Sequence, residues 1–413
     1  MRLEDLEILR CPFCGGRLRQ HPTSWFEMAD GDLETGLLGC ACCAYPVVAG
    51  IPFLRTGQTA RAVLRLLDNG QPHQALRLLL GVGEAQVEQF EALRRQEQGF
   101  SYRACLEFLS PNPEGTYFLY RFSDPTFLIS DGLLQAFAQD SAFSRGPILD
   151  LCGGSGHLTR TLCDLSQAQT VWLADLEFWK LWLARQFVAP QCQAVCCDAS
   201  QPLPFAQGSF FLTICSDALS YIWPRRSLAG EMTRLVRPDG IVVATQLHNA
   251  HCHNPSEGLA LDPAAWRQLF EEVPARLFKE SAVLDAVLAG GPIELSSQNT
   301  DIQLANEPAL IAISTRLEGF FRDYHLPKPE PVLHRPVLNP LYYREERGSN
   351  YLLTLRFPSA FYESEFEACR RYLPQQVELP VEELKNLRGG KLQGRWAEMA
   401  RQRVLLDLPE NYL

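Results

Sequence analysis

The chain has 413 residues, a formal net charge of −10 and 46% apolar composition, which suggests two or three domains with a substantial core. The acidic balance excludes a general nucleic-acid binder, which is usually basic, and with no run of about 18 apolar residues no membrane span is expected. The acidic opening MRLEDLEILRCPFC has no apolar signal core, so the 14 cysteines of this long chain are expected to be reduced and the protein cytoplasmic.

Taken in order, the first element is a pair of knuckles, Cys11-Pro-Phe-Cys14 and Cys40-Ala-Cys-Cys43, separated by 25 residues. Zinc prefers four tetrahedral thiolates, and two tight turns supply them. Cys11, Cys14, Cys40 and Cys43 are the expected ligands; Cys42 in the fourth place would leave a Cys-x-Cys spacing. Four thiolates leave no open position, so the zinc would be structural. The remaining cysteines, Cys196-Cys197 among them, read as core or incidental residues. The stretches LEILRCPFCGGRL and GCACCAYPVVAGIPFL resemble the small zinc-ribbon activator subunit of tRNA and protein methyltransferases. That resemblance covers residues 3–54 and implies a role in stabilising or docking onto a methyltransferase domain. The distance from Cys43 to Tyr45 is about two residues shorter than the family's habit.

Residues 57–108 carry leucines and alanines at helical spacing, broken at Asn69-Gly70 and Gly81-Val-Gly83. Two or three short helices, a connector or cap, are expected. Asp124-Pro125 starts a further helix, since proline is tolerated in a first turn. Tyr117, Tyr120 and Phe122 either pack over a ligand or belong to the core.

The next stretch, ILDLCGGSGHLTR (148–160), is an apolar run ending in Asp150, a Gly-rich turn and a helix beginning at His157. A buried strand opening through such a turn builds a nucleotide crevice. TVWLADLEFW ends its strand in Asp175, 19 residues beyond Gly156, near the spacing at which a carboxylate accepts ribose hydroxyls. CQAVCCD, FFLTICS and IVVATQLHN supply three more strands, the last after a Pro238-Asp239-Gly240 turn. Strands alternating with helices predict an α/β, Rossmann-like doubly wound sheet. Beyond them LDPAAWRQLFEEV reads as a helix, ARLFKES as a strand, AVLDAVLAGGPIEL as part of a substrate lid, and ALIAIST as the strand that closes the sheet.

The order of Gly-rich turn, Asp175, CDASQPLPF, SFFLTICSDALSYI and RLVRPDGIVVATQLH resembles a class I S-adenosylmethionine-dependent methyltransferase over about half the chain. A dinucleotide dehydrogenase is the rival reading, which the Cys-x-Gly-x-Gly turn and SDALSYI disfavour. Carried over by position, the resemblance implies that Cys152, Gly154 and Gly156 line the methionine end and that Asp175 holds the ribose, with Asp150 and Leu176 also among the cofactor-binding residues. Asp198 and Ala199 would meet the adenine, and Ser216 the sulfonium. Cys152 stands where the family has its first glycine, and Phe211 where an acidic residue often enters the fourth strand.

S-Adenosylmethionine is already a strong electrophile, so an enzyme of this kind mainly aligns the acceptor and excludes water. A hydroxyl acceptor would gain from a base, and Tyr221 and His248 follow the fourth and fifth strands, facing the crevice. Ser216-Asp217-Ala218-Leu219 lacks the Asn/Asp-Pro-Pro-aromatic tetrad of amide- and adenine-nitrogen methyltransferases, which favours a small-molecule acceptor methylated at oxygen or carbon. An RNA or protein methyltransferase with a fused ribbon and a non-catalytic S-adenosylmethionine binder are the alternatives. His248, His251 and His253 read as a polar loop rather than a metal site. The expected organisation is a zinc ribbon (1–56), helical connector (57–114), methyltransferase domain (115–316) and C-terminal α+β extension (317–413). The extension, with a Pro-rich arm at 326–340, would complete the acceptor pocket or a homodimer contact.

Overall fold

Antiparallel pairing around one long strand sets the first unit. In a computed structural model that describes residues 1–95, 99–140, 143, 145–166, 169–256, 258–326 and 332–413, β1 (Arg19–His21), β2 (Glu27–Ala29) and β4 (Ala44–Val48) all pair antiparallel with β3 (Asp32–Gly39). A two-residue turn of Ala49 and Gly50, both at positive φ, joins β4 to β5 (Ile51–Pro52), the geometry that matches strand twist. The chain then runs against the central sheet: Phe53 bridges Cys196 in parallel, and the Leu54 amide donates to the Cys196 carbonyl at 2.8 Å.

Among the described residues the connector has four α-helices rather than two or three: α1 (Gln58–Asp68), α2 (Pro72–Leu79), α3 (Val87–Arg94) and α4 (Tyr102–Leu109). Next, α5 (Pro113–Tyr120) starts at Asn112, whose side chain accepts from the Glu114 and Gly115 amides. The boundary expected after residue 114 therefore falls inside a helix. Asp124 caps α6 (Pro125–Phe137), accepting from the Phe127 amide at 2.7 Å. That helix is apolar nearly all round and buried, as a helix covered on several sides must be.

The central sheet uses β6 (Ile148–Leu151), β7 (Val171–Asp175), β8 (Gln193–Cys196), β9 (Phe210–Ser216), β10 (Val236–His248), β11 (Ala275–Lys279) and β13 (Ala309–Thr315) in the order β11-β13-β10-β9-β6-β7-β8. The strands β6 to β10 run parallel, connected through α7 (His157–Leu165), α8 (Phe178–Leu183) and α9 (Arg225–Leu235). Strand order reverses at β6, with β7 on one side and β9 on the other, so a ligand crevice belongs at the carboxyl ends of these strands. The expected Pro238-Asp239-Gly240 turn is instead taken up within β10 as a register shift between Val236 and Ile241. ALIAIST (β13) does not close the sheet but lies antiparallel between β10 and β11.

After α10 (Pro263–Gln268), α11 (Glu280–Ala289) packs on α6, where a Cβ at Gly132 would come 2.3 Å from Val287. The segment expected as part of a lid instead begins with a helix packed on α6. The linking β12 (Ile293–Glu294) and α12 (Asp301–Leu304) precede β13, and β14 (Asp323–Tyr324) returns to pair with β12. Of the Pro-rich arm, 327–331 lie outside the described residues. Its remainder forms β15 (Val332–Leu333) and β16 (Pro336–Leu338). A meander of β17 (Tyr342–Arg347), β18 (Asn350–Leu355) and β19 (Gln376–Pro380) follows, with α13 (Ala360–Glu365) between its last two strands. The chain ends through α14 (Val381–Lys385), β20 (Gly390–Lys391), α15 (Gly394–Arg401) and β21 (Leu405–Asp407), which pairs with β16.

Alternation along the strands divides the core in two. Ile148 and Leu173 join the helical connector and extension on one face, whereas Leu149, Trp172 and Val195 meet Leu38, Tyr45 and Val47 of the ribbon on the other. Among the described residues no helix is long and apolar enough to cross a membrane.

Candidate active site

The Gly-rich turn is shaped by three residues at positive φ: Cys152 (59°), Gly154 (57°) and Gly156 (85°). Glycine reaches this region freely, but an L-side chain such as that of Cys152 costs about 1–2 kcal/mol there. At Gly154 a Cβ would sit 2.5 Å from the Phe118 ring, and at Gly156 one would sit 2.8 Å from the Ala184 Cβ. Gly154 lets α5 close over the turn, and Gly156 lets the turn pack on the residues after α8. Cys152 is fixed by its amide, which donates to the Ala174 carbonyl at 2.7 Å.

Over the switch point lies a cavity of about 860 Å³, within the usual range for ligand pockets. Asp150, Cys152, Gly154, Asp175, Leu176, Asp198, Ala199 and Ser216 all line it; Gly156 does not. The Gly156 expectation is corrected: its missing side chain serves packing. Asp150 Oδ2 accepts from the Thr159 hydroxyl at 2.7 Å, while its Oδ1 is buried without a partner among the described residues. Burial pushes this carboxyl up to about 6. Asp175 accepts from the amides of Gly154 (3.0 Å) and Glu177 (2.9 Å), one to each oxygen, so each keeps a lone pair for a further donor. Burial raises its affinity for a proton, an effect opposed by the Lys180 ammonium. Ser216 is held by the hydroxyls of Ser130 (2.9 Å) and Thr245 (3.0 Å), and Asp198 by a turn in which it accepts from the Ser200 amide at 2.8 Å.

Of the two candidate bases, Tyr221 lines the cavity and His248 does not. The cause lies in β10. Three residue steps from Ala244 to Leu247 oppose two on β13, with Gln246 at φ 55°, and such a bulge inverts the side-chain alternation. His248 is buried behind Tyr221, its ring 5.4 Å away edge-on, and its amide donates to the Ser220 hydroxyl. Burial lowers its proton affinity. The assignment of His248 as a base facing the crevice is therefore corrected.

Sequence reasoning missed a buried polar network on the same wall. Asp217, directly after β9, is itself at positive φ. It accepts from the Tyr117 hydroxyl at 2.8 Å and lies 3.8 Å from Arg121, which also pairs with Asp124 at 2.9 Å. Burial drives the Asp217 carboxyl up to about 6, against the pull of Arg121 and Tyr117. Tyr117, Arg121, Asp217, Phe361 and Glu365 all line the cavity. The SDALSYI segment pointed at Asp217; nothing local marked Arg121 or Glu365, which arrive from α5's end and from α13.

Away from this cavity, the Sγ atoms of Cys11, Cys14, Cys40 and Cys42 lie within 4.8 Å of one another, the one grouping of metal-ligating side chains among the described residues. Contacts of 3.6 Å (Cys11 to Cys42), 3.7 Å (Cys14 to Cys40) and 3.4 Å (Cys40 to Cys42) suit a tetrahedron with metal–sulfur bonds of about 2.3 Å, whose edges are near 3.8 Å. Cys42 takes the corner expected of Cys43. Cys43 instead enters β4 two residues before the buried Tyr45, on the same side of the strand, and packs against the core. The loop histidines His251 and His253 form no such grouping.

Residues 148–240 match the family model described as methyltransferase domain. No curated protein matches the chain in sequence. Among solved structures, the chain is similar to a complex between the Haloferax volcanii Trm112 methyltransferase activator and a putative methyltransferase, at 16% identity and a TM-score of 0.35 over 45% of this chain and 88% of that one. It is similar to geranyl diphosphate C-methyltransferase from Streptomyces coelicolor at 13% identity and 0.32, over 42% and 70%. For Haemonchus contortus phosphoethanolamine N-methyltransferase 2 the values are 14% and 0.36, over 52% and 60%.

Proposed function

Starting from the premise that residues 148–240 belong to the methyltransferase domain family and that the protein is an S-adenosylmethionine-dependent methyltransferase, we propose that it methylates a small-molecule acceptor at a hydroxyl oxygen, with Asp217 as the proton acceptor. The bound cofactor supplies an electrophilic methyl group. The residues fit it: the unpartnered Asp150 Oδ1 suits its ammonium, the remaining lone pairs of Asp175 suit ribose hydroxyls, and Asp198 with Ala199 suits the adenine edge. Six carboxylates on the wall, against Arg121 and Lys180, favour a cationic cofactor and disfavour a polyanionic acceptor such as RNA.

The observation that carries the acceptor chemistry is Asp217. A carboxyl held near 6 in a cleft is poised to take a proton at neutral pH. An acceptor hydroxyl alkylated there would pass its proton to Asp217. Tyr117 and Arg121 hold that carboxylate in place. Tyr221 forms the adjacent wall rather than the base, because a phenol lies far above neutrality to begin with and desolvation and the Asp217 carboxylate raise this one further. Carbon as the acceptor atom would place the same carboxylate against a C–H proton.

The ribbon completes the reading as a structural element: zinc on Cys11, Cys14, Cys40 and Cys42, docked on the sheet beside β8. With four of the 14 cysteines on zinc, the other ten as free thiols favour a reducing, cytoplasmic setting. Residues 102–120 and 357–366 would belong functionally to the acceptor site rather than to separate connector and extension domains. Calorimetry with S-adenosylmethionine and S-adenosylhomocysteine tests the premise, and binding of neither would overturn it. Asp217→Asn should bind S-adenosylhomocysteine normally and lose methyl transfer; full transfer would remove Asp217 from the base role.

A further inference from the structure

Beside the cofactor cavity is a second one of about 550 Å³, between α4, α5 and α13. Its walls include Leu106, Leu119, Tyr120 and Tyr362. Pro113, Tyr117, Phe361 and Glu365 line both cavities, so the two adjoin at a rim made by two helices outside the sheet. Tyr117 ties that rim to the reacting end through its bond to Asp217.

Three features mark this annex as built for a ligand. Phe361 stands 56% exposed at the junction, a large ring left in water where two hollows meet. Tyr362 is buried, yet its hydroxyl has no hydrogen-bond partner among the described residues, and a buried orphan hydroxyl costs about 1–3 kcal/mol. The charged groups on the walls are acidic, Glu107 and Glu365, which repels anions. The cofactor cavity, at about 860 Å³, is the size that holds one drug-sized ligand, so a cofactor leaves little of it for a bulky acceptor.

We infer that the annex holds the body of the methyl acceptor, and that the acceptor is an elongated, largely apolar, non-anionic molecule. Its hydroxyl end lies by Asp217 and its body passes the Phe361–Glu365 rim between α5 and α13. This rests on the proposed methyl transfer for the identity of the reacting end. Selectivity among acceptors then resides in residues 106–120 and 358–365, outside the matched domain.

Nile red, a neutral planar apolar dye, is the probe. Its fluorescence is titrated against the full-length protein saturated with S-adenosylhomocysteine, and against Thr116→Trp and Glu107→Trp, which fill the annex from positions that do not line the cofactor cavity. The expected result is dye binding by the wild type, weakened about tenfold or more by either substitution, with S-adenosylhomocysteine affinity unchanged. Undiminished dye binding in both variants, or no binding by the wild type, overturns the annex as the acceptor's seat. Retained cofactor affinity shows that a variant is folded, and two independent positions guard against a local collapse at one. Dye binding by a wild type that binds no S-adenosylhomocysteine would instead overturn the proposed function and leave an apolar site of another purpose.

Discussion

The ring of Tyr412 lies flat on that of Tyr102, with centroids 4.5 Å apart and planes 9° from parallel. Between them these two phenols hold both ends of the last step of the Gly-rich turn. Tyr102 shares a hydrogen bond of 2.7 Å with the Ser155 hydroxyl, and Tyr412 one of 2.8 Å with His157 Nε2. Tyr412 also reaches the carbonyls of Phe118 and Leu119 at 3.1 Å, and the backbone seals the contact through the Tyr102 amide and the Asn411 carbonyl at 2.7 Å. The tail of the chain thus acts as a strut beneath the turn that carries Gly154.

Removing that strut's polar tip should be measurable. Tyr412→Phe leaves the buried His157 Nε2 without its partner, a loss of about 1–3 kcal/mol, and Tyr412→Ala, which also removes the ring, should cost about 3–5 kcal/mol. Urea denaturation reads both. S-Adenosylhomocysteine affinity should fall with the phenylalanine variant, and unchanged affinity would show that the turn holds its shape without the tail.

Asp217 sets a pH dependence of a definite sign. Its folded value, about 6, lies above the ordinary 3.8, so the native state holds this proton more tightly than the unfolded chain. Its contribution to stability is fully present below about 4 and is lost as the pH rises through about 6, by of the order of 3 kcal/mol. Methyl transfer should run the other way, falling as the pH drops through about 6. In Asp217→Asn the difference in unfolding free energy between pH 4.5 and 7 should shrink. A slope equal to that of the wild type would mean that Asp217 is not the group responsible.

The fourth thiolate separates two substitutions of neighbouring cysteines. Purified wild type should carry about one zinc per chain. Cys42→Ser should lose most of it and Cys43→Ser should keep it, as read by metal analysis of both proteins. The reverse result would restore Cys43 to the metal.

Cys152→Gly tests the irregular position of the turn. Relief of the left-handed strain at φ 59° outweighs the extra chain entropy of glycine, for a gain of about 0.5 kcal/mol. S-Adenosylhomocysteine affinity should change by less than about threefold. A loss of more than about tenfold would mean that the thiol itself contacts the cofactor.

The sequence was most readable where one local rule governs. Asp124 before Pro125, the Gly-rich turn before His157 and the apolar strands of the sheet all follow from capping, backbone freedom and burial. Eight of the nine residues expected at the cofactor line one cavity, since the strand ends dictate where they sit. His248 failed because a single extra residue in β10 inverts the side-chain parity, and no composition signal announces a bulge. Cys42 rather than Cys43 joins the thiol cluster, and spacing alone does not say which of two adjacent thiols turns toward Cys11, Cys14 and Cys40. Arg121, Phe361 and Glu365 were invisible for a different reason: they reach the site from elements distant in sequence, and only tertiary packing brings them together.

The seam between the ribbon and β8 has a consequence for solubility. β8 is one of the two edge strands of the central sheet, and Phe53 and Leu54 cover part of its outer edge. A bare edge strand offers unpaired amides and carbonyls to any neighbouring chain. If metal loss unfolds the ribbon, it uncovers a template for strand addition beside the apolar surface of Trp172 and Val195. Chelator-treated protein should therefore self-associate before the cofactor domain melts, so the ribbon acts as a guard against aggregation as much as a brace for the fold.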